Sequence, residues 1–91
     1  MTAKYQYPFS EATEEIKRAV WDKGITIPNF DPSVWRQNAY GTAIKYWNHG
    51  DTSSEYGWEI DHIKAKANGG SDDLENLQPL QWENNRKKGD S

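Results

Sequence analysis

The sequence predicts a small single-domain α+β protein, on three observations. Residues 11–23 carry apolar side chains at helical spacing, and residues 56–61 alternate apolar with polar side chains as a half-buried strand does. Residues 77–80 read as a second short strand that runs straight into a helix-forming segment, 82–88. A chain of 91 residues has room for one folded unit. Within it, 1–55 reads as an N-terminal helix with a supporting segment, and 56–91 as the strand–strand–helix part of one compact domain.

Each element has its own signals. Ser10 is a plausible N-cap, with Glu11, Glu14 and Glu15 in or near the first turn and Gly24 as the C′ residue, so the first helix spans about 11–23. Residues 25–28 form an extended connector stopped by Pro28. Asp31-Pro32-Ser33 pairs an N-cap candidate with proline at the first helical position and predicts a brief second helix before Gly41. Residues 42–47 carry β-formers and predict a strand, and 48–54 form a dense turn cluster. After the strand at 56–61 comes a loop containing Asn68-Gly69-Gly70-Ser71-Asp72-Asp73. Pro79 demotes the strand at 77–80 to a sheet edge, and the last helix stops at Gly89.

Composition narrows the class further. With no cysteine there is neither a disulfide nor a thiolate-bound structural zinc, so packing must carry the fold. Leucine occurs at three positions (Leu74, Leu77, Leu80) while five Trp, five Tyr and two Phe are spread along the chain, which predicts an aromatic core. A net charge of −3 excludes a protein that coats a polyanion by bulk charge, so any nucleic-acid contact must be local, as at Arg86-Lys87-Lys88. Apolar stretches are only a few residues long and no secretory leader is readable, which leads us to expect a cytoplasmic protein without membrane association.

Four polar residues stand out in the last 35: Asp61 and His62 at the end of one strand, Asn76 before the next and Asn85 on the helix. Residues 56–90 closely resemble the HNH endonuclease family, whose ββα-metal (His-Me finger) motif is written around an Asp-His-Ile triplet, a Gly-Gly turn, an Asn-Leu-Gln segment and a His- or Asn-bearing helix. Those pieces stand here as Asp61-His62-Ile63, Gly69-Gly70, Asn76-Leu77-Gln78, and Asn85 with Lys88. The resemblance reaches weakly back to 35–44.

The residue types suit that chemistry. Phosphodiester hydrolysis needs a base to take a proton from water and a Lewis acid to neutralise charge building on the phosphate and on the departing oxygen. A histidine, with an ordinary pKa of about 6.5, can be that base at neutral pH. The resemblance implies His62 as base, Asp61 and Asn85 as ligands of one divalent metal, and Asn76 as a brace that orients the base. One carboxylate and one amide oxygen suit hard ions such as Mg²⁺ or Mn²⁺, with other transition metals open. Lys64, Lys66, Arg86, Lys87 and Lys88 are the expected phosphate contacts. On a regular strand Asp61 and His62 would face opposite ways, so the strand is expected to end at this pair.

In isolation every one of these residues has an ordinary reading. His49 reads as an exposed turn residue, and Arg36 and Lys45 as surface charges, unless the fold brings them behind the site. Departures from the family pattern also count. Many relatives carry two Cys-x-x-Cys pairs that bind zinc, and here Gln81 and Asn84 take the later pair's places, so no structural zinc is expected. The final asparagine makes an HNN variant, similar to the HNH domain of RNA-guided CRISPR nucleases. The implied activity is metal-dependent hydrolysis of DNA, leaving a 5′-phosphate and a 3′-hydroxyl. A partner protein or a homodimer would supply the basic surface this chain lacks. The alternative reading is a catalytically inactive HNH-like nucleic-acid-binding module.

Overall fold

The computed structural model describes residues 13–89. Helix α1 spans Glu14–Trp21, with Thr13 as its N-cap: the Thr13 hydroxyl accepts from the Ile16 N–H at 3.3 Å, and Glu14 and Glu15 sit where the helix dipole favours acids. The expected cap, Ser10, lies outside the described residues. The helix also stops before 23, and Gly24 does not supply a left-handed stop. Ile25 exchanges backbone hydrogen bonds of 2.9 and 2.8 Å with Gln37, which pulls the chain into extended form. The Arg36 guanidinium then donates to the carbonyls of Asp22 and Gly24 at 3.1 and 3.0 Å, closing the helix end from outside.

The brief helix expected after Asp31 is absent. Asp31 Oδ1 accepts from the Ser33 N–H and hydroxyl at 2.9 and 2.8 Å, so the capping chemistry serves an Asx turn instead. Val34 and Trp35 favour extended backbone. Strand β1, Trp35–Gln37, pairs antiparallel with β2, Ala43–Lys45, which is shorter than the strand expected at 42–47 because Tyr46–Asn48 coil into a 3₁₀ turn.

Strands β3, Trp58–His62, and β4, Leu77–Gln81, form a second antiparallel pair, with Ile60 opposite Pro79 and His62 opposite Leu77. Among the described residues that sheet has two strands, so Pro79 lies on an edge there. Helix α2, Trp82–Lys88, follows β4 without a break. Helix α1 packs on β4, and α2 packs on both β3 and β4. The architecture is the small α+β domain the sequence implies. No helix among the described residues is long and apolar enough to cross a membrane.

Val20, Trp21, Ile44, Tyr46, Trp58, Ile60 and Leu77 form the core. Trp21 meets Tyr46 edge-to-face at 5.4 Å and lies 5.2 Å from Trp58, while its indole N–H donates to Pro32 O at 2.8 Å. The expectation of an aromatic core holds for these rings and fails for Phe30, Tyr40 and Trp47, Phe30 being 55% exposed. Trp47 is 66% exposed and Tyr40 is 62% exposed, because the 3₁₀ turn and the β1–β2 turn carry them outward.

A chain of side-chain amides, Asn38 and Gln81 buried and Asn84 half-buried, ties the β1–β2 hairpin to the start of α2. Asn38 is 1% exposed; its Oδ1 accepts from the N–H groups of Tyr40 and Thr42, and its Nδ2 donates to Asn84 Oδ1 at 2.9 Å. Gln81 Oε1 accepts from the Asn84 N–H at 3.0 Å as the N-cap of α2, and Gln81 Nε2 donates to Glu55 O at 3.1 Å. Gln81 and Asn84 thus join, together with Asn38, the β1–β2 hairpin to the start of α2 by hydrogen bonding.

Replacing Asn38 with Leu removes both halves of that tie and strands the Tyr40 and Thr42 N–H groups. Chemical denaturation should show a loss of about 1–3 kcal/mol for the unpaired buried groups. An unchanged midpoint would mean the hairpin holds without the amide.

Candidate active site

The site is assembled where β3 ends. Alternation puts Glu59 and Asp61 on one face of the strand and Ile60 and His62 on the other. Asp61 and His62 are nonetheless both 8% exposed and line one cleft of about 240 Å³ with Ala65, Lys66 and Lys88. The loop 63–76 folds back over the strand end and α2 closes the other side, so two opposed side chains reach one space.

Loop geometry depends on two glycines and one asparagine. Gly69 adopts φ +88°, a left-handed conformation that favours glycine. Gly70 passes so close to the Lys64 carbonyl that a Cβ would stand 1.7 Å from its oxygen. Asn76 Oδ1 accepts from the Lys64 N–H at 2.8 Å, and its Nδ2 donates to Lys64 O and Ser71 O at 3.0 and 2.8 Å. Its carboxamide offers Lys64 the donor–acceptor pair that a neighbouring strand would offer, just beyond the last backbone bond, Ile63 N–H to Asn76 O at 2.7 Å.

The His62 ring is held by a residue that sequence reading missed. Asp72 Oδ1 lies 2.7 Å from His62 Nε2, and Lys66 Nζ lies 2.8 Å from Asp72 Oδ2. Hydrogen bonds from Lys66 first and His62 second hold the Asp72 carboxyl below the ordinary aspartate range. An acid just after the Gly-Gly turn was visible in the sequence, but nothing there distinguishes Asp72 from Asp73.

Asp61 is backed by its cross-strand partner: Gln78 Nε2 donates to Asp61 Oδ2 at 2.9 Å. Lys88 Nζ stands 3.4 Å from the same oxygen and donates to His62 O at 3.0 Å. Asn85 Nδ2 donates to Glu59 Oε1 at 2.8 Å, and Arg86 grips the same carboxylate with two nitrogens at 2.7 and 3.1 Å. Burial pushes the Glu59 carboxyl up, yet these hydrogen bonds outweigh it and leave the pKa lowered. The three consecutive cations therefore have different surroundings. Arg86 is committed to Glu59, the Lys88 side chain is largely buried beside Asp61, and Lys87 is exposed on α2.

The remaining sequence candidates lie as follows. Lys64 is exposed on the loop, and Lys66 lines the cleft while pairing with Asp72. His49 packs edge-to-face on Trp58 at 4.7 Å, and burial, with Lys17 next, lowers its pKa. Arg36 is taken up by Asp22, Gly24 and Pro32, and Lys45 lies over the Trp35 ring, 5.4 Å from its centre. None of these three lines the cleft.

Among the described residues no group of three or more His, Cys, Asp and Glu side chains could hold a metal ion. The Asp61 carboxylate, oriented by Gln78, lines the cleft, whereas Asn85, the other expected ligand, is not among the lining residues and its Nδ2 is engaged by Glu59. Carboxylate and amide oxygens are hard donors, which fit a Mg²⁺-like ion that keeps most of its positions for water and phosphate.

Residues 47–91 match the model of the HNH endonuclease family, so that β3, β4 and α2 are the two strands and helix of its ββα-metal fold. No curated protein and no solved structure matches the chain.

The lowered carboxyls at Glu59 and Asp72 set an acid limit on stability. A carboxyl depressed in the folded state contributes stability that is full above the unfolded value, about 4, and lost as pH falls through the folded value. Thermal unfolding between pH 7 and 3 should therefore show the midpoint dropping below about pH 4, with a shallower drop in Glu59→Gln. Equal slopes would remove Glu59 from the account.

Proposed function

Because residues 47–91 make this chain a member of the HNH endonuclease family, we propose that it hydrolyses DNA phosphodiester bonds in a metal-dependent reaction with His62 as general base. The observation that carries this reading is the Asp72 carboxylate on His62 Nε2, with His62 beside Asp61 in one cleft. An ionised Asp72 accepts the Nε2 proton's hydrogen bond, which fixes the neutral imidazole in the tautomer with its basic lone pair on Nδ1. Nδ1 then takes a proton from the attacking water, and Asp72 stabilises the imidazolium that forms. Asn76 keeps the loop folded so that Asp72 and His62 stay in line. Lys66 and Lys88 add positive charge at the cleft for a phosphate.

Asp61 and Asn85 are the residues that would hold a divalent ion. Bound there, Mg²⁺ or Mn²⁺ would neutralise charge on the phosphate and on the departing 3′ oxygen. With so few protein donors, metal affinity in the absence of DNA should be weak. The alternative, a catalytically inactive nucleic-acid-binding module, is favoured by one observation: the Lys88 ammonium already faces Asp61 at 3.4 Å.

Supercoiled plasmid incubated with Mg²⁺, Mn²⁺ or chelator separates the two. The wild type should nick or linearise it with metal, and His62→Ala should lose cleavage while still binding DNA in chelator. Asp61→Ala should lose both cleavage and Mn²⁺ binding followed by calorimetry. Intact cutting by His62→Ala would sink the mechanism, and an inert wild type would leave the binding module.

Affinity should depend on a small local patch. A slope of log affinity against log salt near −2 to −4 is expected, about −0.9 per phosphate contact on duplex DNA. Lys87→Ala should weaken binding to all sequences alike and make the slope shallower by roughly one contact. An unchanged slope would exclude Lys87 from the DNA path.

A further inference from the structure

A second cleft, of about 280 Å³, is lined by Tyr40, Asn84, Lys87 and Lys88. Lys88 is shared with the Asp61–His62 cleft, so the two adjoin along α2. At this volume the cleft lies at the lower edge of small-molecule sites, roughly 300–1,000 Å³, which suits one planar group better than a whole folded ligand.

The cleft is built around an aromatic ring held out from the core. Tyr40 is 62% exposed, whereas Trp21, Tyr46 and Trp58 are buried. Its turn is rigid: the fully buried Asn38 accepts from the Tyr40 N–H at 3.1 Å and the Thr42 N–H at 3.0 Å, and donates to Asn84 on α2. The turn that carries the ring is thus tied to the helix that carries Lys87. Asn84 uses its Oδ1 for Asn38 and its backbone N–H for Gln81, and its Nδ2 donates to no described residue. The cleft therefore offers a π-face, an amide donor and an exposed cation side by side.

That combination matches one nucleotide: a base for the ring, a base-edge acceptor for the amide and a phosphate for Lys87. In a duplex both faces of a base are covered by its neighbours, so Tyr40 can stack only on a base that is unpaired or turned out. We propose that Tyr40, Asn84 and Lys87 form a nucleotide subsite that holds an unstacked DNA base beside the scissile phosphate, so that the preferred substrate has single-stranded character there. This rests on the nuclease reading above and assigns its substrate class.

The test is anisotropy of a labelled oligonucleotide with the full chain in chelator, comparing single-stranded DNA, blunt duplex and RNA of one sequence. The wild type should bind single-stranded DNA more tightly than duplex. Tyr40→Ala should lose roughly tenfold or more on the single strand, the worth of one base–aromatic stack, with little change on duplex and an unaltered thermal midpoint. Tyr40→Phe should retain binding, because the ring and not the hydroxyl does the stacking. Undiminished single-strand binding by Tyr40→Ala, an equal loss on duplex, or tighter Tyr40-dependent binding of RNA overturns the subsite while leaving plasmid cleavage intact. A wild type that binds no DNA overturns the nuclease reading and the subsite together.

Discussion

The indole of Trp58 joins pieces that no continuous hydrogen-bond ladder connects, and the position of the catalytic candidates follows from it. The described residues form two separate two-stranded sheets, and an isolated pair of strands is marginal in water. Trp58 begins β3, packs 5.2 Å from Trp21 of α1, 4.7 Å from His49 and 6.1 Å from Tyr46, and donates its N–H to Tyr46 O. Helix, hairpin and 3₁₀ turn are thereby gathered at one end of the strand. Asp61 and His62 emerge at its other end, so the site is held by a packed core three residues away.

Around that strand end the arrangement is largely electrostatic. Glu59 and Asp61 on one face each meet a cation from α2, Arg86 and Lys88, and His62 on the other face meets Asp72, itself held by Lys66. Two acids and their cations orient one another, while the loop acid orients the imidazole. In a chain of net charge −3 the cations at this strand end are thus each balanced by an acid, which leaves Lys87 as the exposed positive charge of the run.

In a chain without cysteine, polar side chains tie the β1–β2 hairpin to α2. Asn38, Asn84 and Gln81 satisfy one another and the neighbouring backbone, which matters because a buried amide left unpaired costs about 1–3 kcal/mol. The same tie fixes the turn that displays Tyr40. Structural support and the second cleft therefore share a residue pair.

The order of the strand–loop–strand–helix segment was legible in the sequence from local patterning, while Asp61, His62, the Gly-Gly turn, Asn76 and Asn85 stood out through their resemblance to the family motif. The first half was less legible. Asp31-Pro32-Ser33 can open a helix or a turn, and the choice fell to β1, whose partner β2 supplies backbone bonds that no local signal announces. Asp72 could not be told from Asp73, nor Lys87 from Arg86 and Lys88, until the loop and helix were placed against β3. Tyr40 read as core because an aromatic side chain favours burial, and its turn carries it outward instead. Sequence alone determined which chemical groups are present and in what order. Tertiary structure decided which charge faces which, because those contacts join residues far apart in the chain and depend on packing that local propensity does not encode.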